Sequence, residues 1–362
     1  MSPLRVLVVG CGNMGASHAR AYHRMPTFAI VGLVSRRPES RKALSAQLGG
    51  LPTFEDYRRA LAATKPDVVS INTYSDTHAP YAEKAIAAGC HVFCEKPLAE
   101  TVEQAERIVR LATMSGRKLV VGYILRVHPV WMRFVQIAQT LGKPLVMRLN
   151  LNQRSHGAKW ATHRHLMESM SPVVDCGVHY VDVMQQMTGA KPIRVSAIGA
   201  RLTEDIVPGR CNYGQLQVTF DDGSLGWYEA GWGPMMSETA YFIKDVIGPG
   251  GSVSIVRDLD GARSDDIQGH TRTDCLRLHR SDVDANGEFL APDEIIRFED
   301  EPDHHVLCER EQAFLLRAIT EDLDLSEHLR SAVDSLRIVL AAEESIRSGR
   351  TIHLAQSPKP KA

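Results

Sequence analysis

Apolar positions along the chain follow two regimes. From residue 4 to about 122, short β-branched runs alternate with stretches of helical period. Strands are expected at 4–9, 29–35, 68–72, 91–94 and 118–121, and helices at 16–24, 39–48, 79–88 and 102–114. A run such as Val6-Leu7-Val8-Val9 offers no polar face, as suits a strand covered on both sides. Repeated β-α units of this length predict a parallel sheet flanked by helices.

After Arg126 the pattern changes. A helix is expected at 129–141, ended by Gly142, and then strands follow one another without crossover helices, at 145–152, 193–202, 215–220, 224–230, 240–247 and 252–256. Asp221-Asp222-Gly223 between two alternating runs is a hairpin signal. Successive hairpins predict an α+β domain with an open, mostly antiparallel sheet. Helices at 309–321 and 326–348 close the chain. This divides it into a first domain at 1–123, a second at 124–354 and a disordered tail at 355–362.

Composition narrows the function classes. The 362 residues carry a formal net charge of -1, with 44% hydrophobic and 23% charged positions. Nothing in that balance draws the chain to nucleic acid or to an anionic membrane. Seven cysteines, an odd number without paired spacing, fit a reducing compartment. No apolar run reaches the roughly 18 residues of a spanning helix. The start, Met1-Ser2-Pro3-Leu4-Arg5, has no basic segment or cleavage site of a secretory leader, so a cytoplasmic location is expected.

The first chemistry-bearing motif is Gly10-Cys11-Gly12-Asn13-Met14-Gly15, directly after the first strand and opening a helix. Gly10 permits a tight turn, Gly12 lets a pyrophosphate approach the backbone, and Gly15 lets helix and strand pack closely. The helix N-terminus at Asn13 and Met14 then offers N–H groups and a positive dipole end to phosphate. Together with the β-α alternation this predicts a dinucleotide-binding Rossmann domain. An acidic residue usually follows the second strand to hold the ribose 2′-hydroxyl. Here Ser35-Arg36-Arg37 stands instead, and a hydroxyl and guanidinium suit a 2′-phosphate, so NADP is expected over NAD.

Two further constellations carry proton chemistry. Glu95-Lys96-Pro97 ends the strand at 91–94, on the sheet edge where ligands of open α/β sheets sit. Lys96 is suited to stabilise a developing alkoxide. Ser171-Pro172 reads as a helix start and Gly189 as its stop. Within that apolar helix Asp175, His179, Asp182 and Gln186 form one polar stripe. Asp175 and His179 lie one turn apart, as a carboxylate orienting an imidazole would. The same stripe is also what a plain wet helix face looks like.

Taken together these residues resemble the Gfo/Idh/MocA oxidoreductases (glucose-fructose oxidoreductase, inositol dehydrogenase, MocA). The likeness runs through GCGNMGASH at 10–18, the turn Thr73 to His78, GCHVFCEKP at 89–97, Gly122-Tyr123 to Arg126, and Asp175-Cys176-Gly177-Val178-His179. The resemblance implies an NAD(P)-dependent dehydrogenase or reductase of a sugar, cyclic polyol or related compound. Lys96 would polarise the reacting oxygen, His179 would exchange the proton, and Asp175 would hold His179 or a substrate hydroxyl. Thr73, Tyr74, His78 and Glu95 join the glycine loop, Ser35, Arg36, Arg37 and Lys96 as cofactor contacts. Tyr123, Arg126 and Trp160 join Lys96, Asp175 and His179 on the substrate side. A homodimer or homotetramer built through the open sheet is also implied. Tyr74 replaces a common proline, and 168–172 lacks the common glycine-rich turn, which leaves the substrate open.

Weaker signals change little. His156, Lys159, Trp160, His163 and His165 precede the Asp–His helix on what reads as a loop, without ordered metal-ligand spacing, so no metal is expected. Trp227, Tyr228 and Trp232 read as core or interface residues. Two alternatives stay open: a non-catalytic dinucleotide sensor on the same fold, and a dehydrogenase of nucleotide-linked sugars.

Overall fold

A computed structural model of the chain describes residues 2–256, 273–299 and 301–354. The expected tail at 355–362 lies outside the described residues. The chain divides into two compact units, Met1–Val127 with Pro302–Leu336, and His128–Glu301 with Arg337–Ala362. The first break falls close to the expected one after Tyr123. Residues 302–336, however, join the N-terminal unit and not the C-terminal one.

In the first unit the described residues form a six-stranded sheet of order β3-β2-β1-β4-β5-β6. Its strands are β1 Leu4–Val9, β2 Phe28–Val34, β3 Thr53–Phe54, β4 Val68–Ile71, β5 His91–Cys94 and β6 Leu119–Val121. Every pairing among them is parallel. That order places the crevice of a doubly wound sheet at the carboxyl ends of β1 and β4. Val6, Leu7, Val68, Val69, Val92 and Phe93 are fully buried, so the central strands are covered on both faces as their uniform apolarity requires.

The connecting helices are α1 Asn13–Arg24, α2 Pro38–Gln47, α3 Tyr57–Thr64, α4 His78–Ala87 and α5 Val102–Met114. β3 and α3 are not legible in the hydrophobic pattern. β3 is two residues long, and α3 is started by Asp56, whose carboxylate accepts from the Arg59 N–H at 2.8 Å.

In the second unit α6 Pro129–Thr140 leads into α7 Gly157–Leu166, α8 Pro172–Asp175 and α9 Gly177–Thr188. The sheet comprises β7 Val146–Arg154, β8 Pro192–Ala200, β9 Tyr213–Phe220, β10 Leu225–Gly233, β11 Lys244–Gly248, β12 Gly251–Val256, β13 Cys275–Arg280, β14 Glu294–Arg297 and β15 Ile352–His353. Its order among the described residues is β14-β13-β12-β11-β7-β10-β9-β8-β15, antiparallel except for β7 against β10. Met147, Leu149, Leu216, Val218, Tyr228, Val246, Val253 and Leu278 line the buried face. Ile198, Leu225, Ile247, Val256 and Ile295 are exposed on the other.

Two further helices follow β14, α10 His304–Thr320 and α11 Ser326–Ser348. α10 begins five residues before the expected position. Asp303 caps it by accepting from the Val306 N–H at 2.9 Å, a start that the histidine pair at 304–305 obscures in the sequence. The strand expected at 240–247 begins only at Lys244, after a 3-10 turn at Thr239–Tyr241. No helix among the described residues is long and apolar enough to cross a membrane.

Candidate functional site

The glycine loop turns at Gly10, whose φ of +95° is open chiefly to glycine. Its N–H is held by the Val34 carbonyl at 2.8 Å. Helix α1 starts at Asn13, three residues earlier than expected, with Gly12 as a cap that has no side chain to close it. A Cβ built on Gly12 meets nothing within 4 Å, whereas one on Gly15 falls 1.9 Å from the Gly10 carbonyl oxygen. The first-turn N–H groups, at Asn13, Met14 and Gly15, have no partner inside the helix by geometry, and they face the positive end of its dipole. The donor set and the open ground over Gly12 fit a pyrophosphate. Burial pushes the Cys11 thiol up to about 11, partly offset by the Arg41 guanidinium, so no thiolate competes in the loop.

At the end of β2, Ser35 is half-buried, while Arg36 and Arg37 are exposed. A third guanidinium joins them. Arg41, one turn into α2, donates to the Ser35 carbonyl at 2.8 Å and to the Arg36 carbonyl at 3.2 Å. Arg41 was not among the expected contacts, although four residues after Arg37 on a helix is the spacing that returns a side chain to the strand end.

The turn after β4 carries Thr73, half-buried, and Tyr74, 48% exposed. His78 is buried, with Nδ1 at 2.7 Å from the Pro97 carbonyl and Nε2 at 2.9 Å from the Thr73 carbonyl. Burial lowers its pKa, and the two carbonyls oppose that only in part. With both ring nitrogens against main-chain carbonyls, His78 ties the Thr73 turn to the Lys96-Pro97 turn. Lys96 is half-buried at the carboxyl end of β5, next to a cis peptide to Pro97.

Beneath Lys96 lies a buried polar cluster. Glu95 Oε1 is 2.7 Å from His18 Nε2, and Glu95 Oε2 accepts from the Lys96 N–H at 3.2 Å. Gln312 on α10 donates to His18 Nδ1 at 2.9 Å. Neighbouring Glu311 is also buried, and neither of its carboxyl oxygens has a hydrogen-bond partner among the described residues. Burial first, and then the charge of Glu95, hold the Glu311 carboxyl well above its ordinary range.

That buried carboxyl makes stability depend on pH. A carboxyl raised in the folded state keeps a proton that the unfolded chain releases above about 4.3. Stability then falls as pH rises from there toward the folded-state value, by about 1.4 kcal/mol per pH unit. Glu311→Gln removes that slope. Its Tm is expected to pull ahead of the wild type's progressively as pH rises above about 4.3, and melting curves that stay parallel would contradict the assignment.

In the second unit the expected continuous Asp–His helix is broken. α8 ends at Asp175, Cys176 intervenes, and α9 begins at Gly177, with the His179 N–H bonded to the Cys176 carbonyl at 3.2 Å. Gly177 at the break packs close on Tyr228, where a Cβ would meet the ring at 3.2 Å. Asp175 and His179 are both half-buried, but Asp182 is 1% exposed and accepts from Gln186 at 2.9 Å. The stripe is therefore not a wet helix face.

Cys176 Sγ donates to Gln153 Oε1 at 3.5 Å and lies 3.7 Å from Asp175 Oδ2. Gln153 Oε1 also accepts from Trp232 Nε1 at 2.6 Å, and Trp232 stacks on His163 with centroids 4.4 Å apart. Gln153 was not among the expected site residues. Three polar residues within four positions of one strand, Asn150, Asn152 and Gln153, all buried, are the signal that could have found it. The expected loop carrying Trp160, His163 and His165 is the helix α7, in which Trp160 and His163 are buried. Back in the first unit, Tyr123 is 3% exposed, with the Arg126 guanidinium 5.4 Å over its ring.

Comparison with known proteins covers both units. The family described as oxidoreductase family, NAD-binding Rossmann fold, matches residues 4–123, and the GFO/IDH/MocA C-terminal domain matches residues 134–246. D-glucoside 3-dehydrogenase of Escherichia coli (strain K12) is 29% identical over 198 residues, 53% of this chain and 56% of that protein. Inositol 2-dehydrogenase 2 of Saccharopolyspora erythraea is 28% identical over 198 residues, 54% of this chain and 56% of that protein. The chain thus spans little more than half the length of these relatives. An NAD binding oxidoreductase from Klebsiella pneumoniae superposes with a TM-score of 0.78 at 22% identity, over 98% of this chain and 100% of that one, a likeness of fold. Because one family accounts in turn for the parallel-sheet domain and for the open-sheet domain that follows it, the chain belongs to the Gfo/Idh/MocA oxidoreductases, and its N-terminal unit is an NAD-binding Rossmann domain.

Proposed function

We propose that this chain is an NAD(P)-dependent dehydrogenase or reductase acting on a secondary alcohol or carbonyl of a sugar or cyclic polyol. One observation carries the reading. The adjacent strands β1, β4 and β5 deliver the glycine loop, the Thr73 turn and Lys96 to a single carboxyl edge of the sheet, where an open α/β sheet receives its ligand. The names of the glucoside and inositol dehydrogenases supply the substrate class.

The nicotinamide ring, when bound, gives or takes the hydride, and the protein's part is alignment and proton handling. Lys96 stabilises negative charge on the reacting oxygen. His179 takes or returns the hydroxyl proton, and Asp175 orients His179 or a neighbouring hydroxyl. Trp160, Tyr123 and Arg126 shape the substrate's surroundings. The sheet face of the second unit on which Ile198, Leu225 and Ile247 are exposed among the described residues serves assembly with further copies of the chain.

Ser35 and the guanidinium groups of Arg36, Arg37 and Arg41 would hold a 2′-phosphate, so NADP is the preferred cofactor. Calorimetry with each dinucleotide is expected to show NADP bound more tightly. Arg36→Ala is expected to weaken NADP alone, by about 1–3 kcal/mol for a charge-assisted bond. Equal or tighter NAD binding by the wild type sinks the preference. Turnover itself is tested by following reduced nicotinamide with a panel of sugars, cyclic polyols and nucleotide-linked sugars. Intact cofactor binding with no turnover across the whole panel would favour the non-catalytic sensor instead.

A further inference from the structure

The cluster beneath Lys96 has more order than packing alone asks for. His18 is fully buried on α1, the helix that opens with the phosphate loop. Its Nδ1 accepts from Gln312 Nε2 at 2.9 Å, which puts the ring proton on Nε2 and aims it at Glu95 Oε1, 2.7 Å away. The ring is held further against Phe93 on β5, with centroids 4.7 Å apart. The second carboxylate oxygen of Glu95 receives the main-chain N–H of Lys96 at 3.2 Å. A continuous line of donors and acceptors thus runs from α10 through α1 to the backbone of Lys96. The line connects the helix that bears the phosphate loop with the turn that bears the lysine.

Resting on the reading of Lys96 as the group that stabilises the reacting oxygen, we propose that His18, oriented by Gln312, is a positioning residue that aims the Glu95 carboxylate and through it fixes Lys96. A carboxylate with no charge-assisted donor would not stay where Glu95 is found, because burying it uncompensated is unfavourable. His18 supplies one such donor at a site 6% exposed: the carboxylate can only accept, so it draws the ring proton to Nε2, and Gln312 Nε2 donates to the Nδ1 left free. The same place brings donor atoms of His18, Cys308 and Glu311 within 4.8 Å of one another. Both ring nitrogens of His18 are committed to Glu95 and Gln312, however, so the cluster is closed as a hydrogen-bond network and not open as a set of metal ligands.

The test uses the full chain and a readout that does not need a substrate. Competitive acetylation with acetic anhydride, followed by peptide mass spectrometry, reports the reactivity of Lys96 against pH in the wild type, His18→Leu and His18→Gln. Leu removes the donor at similar volume, while the Gln amide restores an N–H near the position of Nε2. Lys96 reactivity is expected to shift by ~3-fold or more in His18→Leu and to return close to wild type in His18→Gln. Where a substrate is in hand, kcat should fall by ~10-fold or more in His18→Leu with the dinucleotide Kd nearly unchanged, and recover in His18→Gln. A folded His18→Leu whose Lys96 labelling superimposes on the wild type overturns the proposal, whatever happens to turnover. If His18→Leu does not fold, Gln312→Leu decides. A shift of Lys96 reactivity by ~3-fold or more supports the line, and an unchanged profile overturns it. Failure of the wild type to turn over any substrate would count against the catalytic reading, while the labelling result would still decide the role of His18.

Discussion

Lys96→Ala and His179→Ala are each expected to lower turnover by ~100-fold or more while dinucleotide affinity and Tm stay near wild type. Lys96 stands half-buried at the carboxyl end of β5, two strands from the glycine loop on the same sheet edge. In the proposed chemistry the value of its ammonium lies in the negative charge that would develop on the reacting oxygen. His179 follows Asp175 after one tight turn in a helix pair whose other members are mostly buried and apolar. Removing it takes away the group whose proton affinity suits exchange near neutral pH. Steady-state kinetics, calorimetry with each dinucleotide and melting curves on the two variants decide the matter. A well-folded variant that binds cofactor and works within a few-fold of wild type is not catalytic at that position.

Gly15→Ala is expected to cost about 3 kcal/mol of stability, at the upper end of overpacking effects, and to weaken dinucleotide binding by ~100-fold. The added methyl would fall 1.9 Å from the Gly10 carbonyl oxygen and 2.7 Å from its carbon. Both are backbone atoms of the turn, so no side chain can swing aside. Relief requires the start of α1 to move away from the loop whose N–H groups it supplies. Gly12→Ala makes the informative contrast. Its methyl meets no protein atom within 4 Å, and the φ of −79° at Gly12 suits alanine. It should fold as the wild type does and lose dinucleotide affinity, because the methyl would occupy the ground over which a bound pyrophosphate is proposed to pass. Thermal melts and calorimetry on the pair separate the two roles. Gly15→Ala melting with the wild type, or Gly12→Ala binding as well as it, would show that the loop does not cradle a pyrophosphate in this way.

How much of the fold and the site is legible in the chain depends on the range of the interaction concerned. Buried strands such as Leu4–Val9 and His91–Cys94 declare themselves because a two-sided covered strand must be apolar throughout. The glycine loop is legible for a similar reason, since its spacing encodes a backbone geometry within six residues. α7 reads as a loop in the sequence because its ten residues, GAKWATHRHL, carry little apolar periodicity. The helix is anchored from outside, by Trp160 and by His163 stacked on Trp232 from a strand some seventy positions away. The break at Cys176 is equally silent, because Gly177 opens α9 against the ring of Tyr228.

By itself the sequence determined the two sheet types, the phosphate loop, the lysine at a strand end and the Asp–His pair. Each of these is written in a short window, where period, glycine placement or i to i+4 spacing constrains the local backbone. Only the tertiary structure decided that residues 302–336 belong with the first unit, that His78 bridges two turns, and that Glu95 is held by His18 and His18 by Gln312. Those last two partners stand 294 positions apart. A contact of that span leaves no periodic trace in either segment. It exists because α10 packs against α1, bringing together polar groups that burial obliges to find partners.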